Sequence, residues 1–162
     1  MNQFKQLLEQ WNKAAYVNDP ERLLKAIFEH FPTGIVQASS LSSEDQVITH
    51  MISKVAPGAT VVILDTGRLH QQTYDVLMES RKQFNVCYTL YFPDTEQVEA
   101  MVNEKGINLF YESIDNRKQC CYVRKVLPLK RALKNQTGWI TGQRRGQAVS
   151  RALLPVAHWD ES

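Results

Sequence analysis

The chain has 162 residues, of which 43% are hydrophobic and 22% charged, and its formal net charge is +2. This length is typical of one domain, and so small a charge gives no reason to expect nucleic-acid binding. No stretch approaches the roughly 18 apolar residues of a membrane helix, and the N-terminus lacks the pattern of a secretion signal. We therefore expect one cytoplasmic domain over residues 1–162, without nucleic-acid or membrane partners.

Apolar residues at helical spacing predict two N-terminal helices within residues 1–31, the second beginning at Asp19 and Pro20. A β-type run over 34–38 leads into a serine-rich loop and a helix ending near Val55. The apolar run 59–64 is typical of a parallel strand that is covered on both faces. Further strands over 86–92 and 139–142 alternate with helices, one of them interrupted at Pro128. This alternation predicts an α/β fold with a three-layer, mostly parallel sheet.

Parallel sheets of this kind bind ligands beyond the carboxyl ends of their strands. The first such segment, residues 39–45, is called the serine loop. Its hydroxyl groups lie beside the N-terminus of the following helix, which predicts a phosphate or sulfate site. The alternative is a capping box between Ser42 and Asp45, which needs no ligand. The loop lacks the glycines of a dinucleotide fingerprint or a P-loop, which argues against both of those classes.

Two more strand ends have polar loops. In the aspartate loop, residues 65–68, Asp65 is placed to accept from ribose hydroxyls and Arg68 to bind an anion. A plain turn capped by Asp65 or Thr66 is the alternative. The arginine loop, residues 142–151, follows the last strand and contains three arginines. Solvated surface arginines are the alternative there.

The basic segment, residues 117–131, places Cys120 and Cys121 among six cationic side chains with no acid between them. Adjacent residues on a helix diverge by about 100°, so the two thiols do not easily bond to each other. Neighbouring cations lower the pKa of a thiol and so favour the thiolate, which is the form that binds metals. The alternative is a structural role, with one buried and one exposed cysteine on a basic helix. Cys87 lies within a predicted strand, where we expect a structural role.

Four segments in this order resemble the assimilatory adenylyl-sulfate reductases, relatives of the phosphoadenylyl-sulfate reductases: 39–45, 64–69 with 73–74, 120–126 with 128–129, and 139–145 with Gln147 and Arg151. The resemblance implies an adenine-nucleotide α-hydrolase-like, Rossmann-like fold. It also implies thioredoxin-dependent reduction of adenylyl sulfate to sulfite and AMP, a step of sulfate assimilation and cysteine biosynthesis. The alternatives are a phosphoadenylyl-sulfate reductase, a non-catalytic adenine-nucleotide-binding module, and an ATP pyrophosphatase, which would have a Ser-Gly-Gly type of loop.

The resemblance also implies roles for individual residues. Cys120 and Cys121 would be two ligands of a [4Fe–4S] cluster, and Lys125 would lie near cluster and substrate. The cysteine pair favours adenylyl over phosphoadenylyl sulfate, and the acids Glu44 and Asp45 would oppose a further phosphate. Thioredoxin or a similar dithiol is the implied electron donor, and a homo-oligomer is compatible with the family. The implied substrate-binding residues are Ser39, Ser40, Ser42, Ser43, Leu64, Asp65, Thr66, Gly67, Arg68, Gly142, Arg144, Arg145 and Arg151.

Members of that family have two further cluster cysteines in a Cys-x-x-Cys motif. A C-terminal Glu-Cys-Gly-x-His segment then provides the cysteine that attacks sulfur and forms a thiosulfonate. The present sequence ends at Ser162 before either motif. We therefore expect a C-terminally truncated product with an incomplete cluster ligand set and without the catalytic cysteine.

Overall fold

The sheet is formed by four parallel strands, β1 (Ile35–Ser39), β2 (Thr60–Leu64), β3 (Cys87–Tyr91) and β4 (Gly138–Thr141). They lie in the spatial order β3-β2-β1-β4, and Val36 of β1 is opposite both Thr60 and Trp139. This computed structural model describes residues 2–160. All four predicted strands are present, with ends shifted by about one residue, as is usual for element boundaries.

Helices surround the sheet: α1 (Asn2–Trp11), α2 (Ala14–Val17), α3 (Pro20–His30), α4 (Ser43–Val55), α5 (Gln71–Gln83), α6 (Thr95–Lys105), α7 (Ile114–Cys121) and α8 (Leu127–Leu133). The predicted start of α3 is confirmed, because the Asp19 carboxylate accepts from the Arg22 N–H at 3.0 Å. Helix α2 was not predicted, since four residues are too few to show helical periodicity. In the described part of the chain, no helix has the length and apolarity that crossing a membrane requires.

Strand β2 is covered on both faces, as its unbroken apolar run predicted. Val61 and Ile63 pack against Leu41 and Leu77 on one face. Val62 packs on the other face with Val36 of β1 and Ala132 of α8, joined at the edge of the cluster by Leu64, Tyr91, Leu133 and Trp139. Because alternate side chains of a strand point to opposite faces, these contacts place α5 and α8 on opposite sides of the sheet. The three-layer prediction is therefore confirmed.

The chain order of the strands creates a switch point. From β1 the chain steps to β2 and then to β3, after which it returns across the sheet to place β4 on the other side of β1. The carboxyl ends of β1 and β4 are therefore neighbours, although about 100 residues separate them in sequence. Such a position is where open α/β sheets bind ligands.

The cysteine-containing helix changes its hydrogen-bond pattern before Pro128. Tyr122–Val126 is a π-helical turn between α7 and α8, in which the Leu127 N–H bonds the Tyr122 carbonyl five residues earlier. Proline has no N–H to donate to the carbonyl four residues before it, so the α-helical ladder cannot continue through this point. The predicted interruption at Pro128 therefore takes the form of a π-helical turn just before this residue, after which the helix continues as α8.

The segment after the arginine loop returns to the first helix. The Asn12 side chain donates to the Ala157 carbonyl at 2.6 Å and accepts from the N–H groups of Val156 and Ala157. Three hydrogen bonds from one amide fix the path of this segment. The arginine loop is therefore anchored at both ends, by β4 and by α1.

Candidate functional site

The serine loop is organised by the carboxylate of Asp45, which is 4% exposed. Its Oδ2 accepts from the Ser40 N–H at 2.6 Å, from the Ser40 hydroxyl at 2.7 Å and from the Ser42 hydroxyl at 3.4 Å. Ser42 precedes α4, but its side chain makes no capping hydrogen bond. The capping-box alternative is therefore wrong, because Asp45 reaches back beyond Ser42 to Ser40. Ser39 also shapes the loop by accepting from the Leu41 N–H at 3.0 Å.

Two buried polar side chains, those of Gln37 and Thr49, bind the backbone carbonyl of Asp45. The Gln37 side chain on β1 donates to the Asp45 carbonyl at 3.0 Å. The Thr49 hydroxyl on α4 lies 2.8 Å from that carbonyl and 2.9 Å from the Gln37 amide oxygen. Both side chains are fully buried, so these bonds replace all contact with water. This pair was not predicted from the sequence, although a glutamine within a short apolar strand was an available indication.

Glu44 connects the serine loop to the arginine loop. It accepts from the Ser43 hydroxyl at 3.1 Å and from the Gln147 amide at 3.4 Å, and it forms an ion pair with Arg144. Its pKa is lowered to about 2, mainly by a hydrogen bond with its own backbone N–H at the start of α4, with a smaller contribution from Arg144. Four donors of the expected anion site thus already bond carboxylates of this chain: the hydroxyl groups of Ser40, Ser42 and Ser43 and the guanidinium of Arg144.

The three arginines of the arginine loop have different partners. Arg144 pairs with Glu44, and Arg151 donates to the Gln147 side chain at 2.7 Å. Arg145 donates to the Leu154 carbonyl at 2.8 Å, which directs it to the segment that returns to α1. Arg144 and Arg151 therefore adjoin the serine loop through shared partners, and Arg145 is engaged elsewhere.

Gly142 lets the two loops touch. A Cβ atom at this position would collide with the Asp45 carboxylate oxygen Oδ1 and would lie 3.3 Å from the Asp45 backbone nitrogen. Only a residue without a side chain allows β4 to end this close to the serine loop. The predicted convergence of these two loops is thus a direct contact.

The aspartate loop is a tightly bonded turn. The Asp65 carboxylate is 5% exposed and accepts from the Gly67 N–H at 2.9 Å and from the Tyr74 hydroxyl at about 3 Å. The Thr66 hydroxyl accepts from the Arg68 N–H at 3.2 Å. Desolvation and the bond to Asp65 raise the pKa of Tyr74. Asp65 therefore shapes the turn, as the capped-turn alternative expected, and both of its oxygens already have protein donors.

Arg68 binds the segment that follows α6. Its guanidinium donates to the Ile107 carbonyl and to the Asn108 side chain, each at 3.1 Å, and lies 4.8 Å from the centre of the Phe110 ring. These contacts fix the aspartate loop to the chain before α7. Arg68 makes them instead of an ion pair within the described residues.

The cysteine pair is divided between the core and the surface. Cys120 packs against Met101, Leu109 and Val123, whereas Cys121 is exposed, as is Lys125. Cys87 is exposed at the amino end of β3, whereas the three loops lie at the carboxyl ends of the strands. Within residues 2–160, no three His, Cys, Asp or Glu side chains are grouped to hold a metal ion. The described residues alone therefore do not fit a four-thiolate cluster, since they bring two thiols to one place.

Arg124 joins the basic segment to the aspartate loop. It lies on the π-helical turn, is 8% exposed, and donates to the Thr66 carbonyl at 2.7 Å. From the sequence, Arg124 was predicted only as one of the six cations of the basic segment. Its spacing of four residues from Cys120 was the available indication that it lies on the buried face of the helix.

A cavity of about 370 Å³ lies near the amino ends of β1 and β2, away from the carboxyl ends where the three loops begin. It is lined by residues such as Phe28, Pro57 and Thr89, and none of its lining side chains is charged. This cavity therefore does not suit an anionic ligand.

The chain is similar to proteins of known family. Residues 34–162 match the family described as the phosphoadenosine phosphosulfate reductase domain. An adenosine 5'-phosphosulfate reductase from Burkholderia cepacia is 40% identical over 149 residues, covering 92% of this chain and 59% of that protein. One from Agrobacterium fabrum is 42% identical over 125 residues, covering 77% of this chain and 48% of that protein. The chain thus spans about half the length of these relatives.

A solved structure has a similar fold. The crystal structure of phosphoadenylyl-sulfate reductase from Candida auris, a phosphate complex, superposes with a TM-score of 0.77. It is 26% identical and covers 96% of this chain and 73% of its own. The predicted nucleotide α-hydrolase-like architecture is therefore confirmed.

Replacing Glu44 by Gln is expected to lower stability in a pH-dependent way. The pKa of Glu44 is about 2 in the folded protein against an ordinary 4.5, so its ionised form stabilises the fold above about pH 4.5. That contribution is lost as the pH falls towards 2. Thermal unfolding at pH 6 and at pH 2.5 should show a difference between wild type and Glu44→Gln that shrinks at the lower pH. Glu79→Gln, which removes an exposed pair with Lys82, is the control. A difference independent of pH would contradict the assignment.

Replacing Gly142 by Ala is expected to destabilise the protein by about 1–3 kcal/mol, the usual cost of overpacking a filled site. The added methyl group would displace Asp45 from its serine donors. Gly146→Ala is the matched control, since nothing lies within 4 Å of a Cβ there. Urea unfolding measures both variants, and equal stabilities would show that the two loops do not depend on this contact.

Proposed function

The chain belongs to the phosphoadenosine phosphosulfate reductase domain family, and we propose that it is the nucleotide-binding part of an enzyme that reduces adenylyl sulfate to sulfite and AMP. The observation that supports this most is the contact between the serine loop and the arginine loop at the switch point of the sheet. Hydroxyl groups, a helix N-terminus and two arginines meet there, which suits a phosphate or sulfate group.

The substrate would lie across the carboxyl ends of β1, β2 and β4. Arg144 and Arg151 would exchange their contacts with Glu44 and Gln147 for the anionic end of the ligand. Residues 64–67 would provide a rigid turn beside the nucleoside. The Candida auris neighbour is a phosphate complex, which supports an anion bound on this fold.

In the proposed reaction, two electrons reduce the sulfate sulfur to the level of sulfite. The bond between sulfur and the phosphate oxygen breaks, and AMP leaves. A dithiol such as thioredoxin supplies the electrons and becomes a disulfide with loss of two protons. The residues of this chain would hold the AMP portion and neutralise the charge on the leaving phosphate. This chemistry belongs to sulfate assimilation in the cytoplasm, where it serves cysteine biosynthesis.

Adenylyl sulfate is favoured over its 3′-phosphorylated relative. The ionised side chain of Glu44 at the start of α4 would oppose a further phosphate nearby. The relatives at 40% and 42% identity are named adenosine 5'-phosphosulfate reductases. The alternatives are a phosphoadenylyl-sulfate reductase and a module that binds adenine nucleotides without reducing them.

We further propose that Cys120 and Cys121 provide two thiolates of a [4Fe–4S] cluster whose other ligands come from outside residues 2–160. When bound, such a cluster would supply a site of negative charge close to the substrate. Arg117, Lys118 and the exposed Lys125 would offset that charge. A homo-oligomer and a complex with thioredoxin are part of the same proposal.

Isothermal titration is expected to show that the chain binds AMP and adenylyl sulfate. Arg144→Gln should weaken both by about 10- to 100-fold, the cost of one charge-assisted hydrogen bond, and should leave adenosine binding unchanged within about twofold. Arg22→Gln on α3, which removes a cation that lies 5.1 Å from the centre of the Tyr16 ring, is the control. Absence of binding up to about millimolar AMP would reject the proposed site.

Iron analysis tests the cluster proposal. After anaerobic incubation with iron and sulfide, the chain alone should hold far fewer than the four irons of a cluster, because it presents two neighbouring thiols. Cys121→Ser should remove the iron that does bind, and Cys87→Ser should not. Four tightly bound irons that survive Cys121→Ser would show that the pair is not the ligand set.

A further inference from the structure

Arg124 is a buried cation at the junction of two parts of the site. Its guanidinium nitrogen Nη1 donates to the Thr66 carbonyl at 2.7 Å, just beyond the carboxyl end of β2. The same nitrogen would lie 3.4 Å from a Cβ at Gly67, so it is in van der Waals range of the turn. Three residues before Arg124 stands Cys121, the last residue of α7. One side chain thus spans from the cysteine helix to the aspartate loop.

Burying this guanidinium is costly, and the described residues do not offset the cost with a carboxylate. None of the ion pairs within residues 2–160 includes Arg124, and its buried Nε atom has no acceptor there. A buried charge of this kind is weak evidence for stability, and in some proteins it specifies one geometry instead. Among the described residues, the Arg124 side chain donates to the backbone carbonyl of Thr66 in the aspartate loop.

We propose that Arg124 is a positioning residue that holds the aspartate loop at a set distance from the cysteine pair. The proposal rests on the proposed nucleotide site, since the loop it fixes is the one that would line the nucleoside. Through this contact the bound nucleotide would keep a constant distance and orientation relative to the two thiols. Arg124 lies on the π-helical turn and acts through the Thr66 carbonyl.

A second arginine of the basic segment provides a matched control. Arg131 also donates to a backbone carbonyl beyond a strand end, that of Phe92 after β3, and it lies 5.6 Å from the centre of the Tyr91 ring. Unlike Arg124, it is exposed and contacts a strand end outside the three loops. Loss of Arg131 should therefore remove the same kind of bond without removing a direct bond to the aspartate loop.

The first measurement needs no ligand. The N–H groups of Gly67 and Arg68 bond side chains inside the loop, so their hydrogen exchange reports the geometry of the loop. In Arg124→Met these two amides should exchange about tenfold faster, with the amides of β2 unchanged, which shows that the fold is intact. Arg124→Lys, which keeps the charge and one donor, should restore part of the protection. Arg131→Met should behave as wild type. Unchanged exchange in Arg124→Met would overturn the proposal.

The second measurement is AMP affinity, which should fall about tenfold or more in Arg124→Met, recover in part in Arg124→Lys and stay within about twofold in Arg131→Met. Normal AMP affinity in Arg124→Met would also overturn the proposal. If wild type itself fails to bind AMP while the exchange result holds, the proposed nucleotide site is wrong and the positioning of the loop by Arg124 stands. The two failures are therefore distinguishable.

Discussion

A carboxylate that is almost fully buried needs donors, and Asp45 obtains them from the serine loop. One carboxylate oxygen accepts hydrogen bonds from the N–H and the hydroxyl of Ser40, and the other oxygen lies against Gly142 at the end of β4. The Asp45 carbonyl is held in turn by Gln37 and Thr49 from the core. This chain of contacts sets the separation of two strand ends that are distant in sequence. The other features of the site depend on that separation, because Glu44 and Arg144 meet across it.

The charge arrangement explains how a site with two acids can still suit an anion. Glu44 and Asp45 occupy the first turn of α4, where the helix dipole and free N–H groups favour negative charge. Arg144 pairs with Glu44, and Arg151 shares the Gln147 side chain with it. An entering anion would therefore compete with carboxylates for donors that are already oriented, so binding reorganises few groups. The same competition would limit how much negative charge the site accepts, which is the physical argument for the proposed preference for a ligand with fewer phosphates.

Features that depend on local sequence were predictable, and features that depend on partners distant in sequence were not. The run 59–64 sufficed to place β2, because a strand covered on both faces must be apolar throughout. Placing the serine and arginine loops at one edge followed from the parallel strand order. The directions of Arg68 and Arg145 did not follow, since each is decided by a backbone carbonyl that only the folded chain brings near. Gln37 was missed because its hydrogen-bond partners, Asp45 and Thr49, lie in the first two turns of the next helix.

The missing N–H of Pro128 affects the hydrogen bonding of the helix that precedes it. Without that N–H the α-helical ladder ends, and the chain responds with the π-helical turn Tyr122–Val126. That turn contains an extra residue per hydrogen-bonded ring, so it rotates the residues after Cys121 relative to those before it. Cys120 stays in the core beside Met101 and Leu109, and Arg124, one turn later, reaches the Thr66 carbonyl. The residue that ends the α-helical ladder therefore follows, four residues later, the arginine that joins the cysteine-containing helix to the aspartate loop.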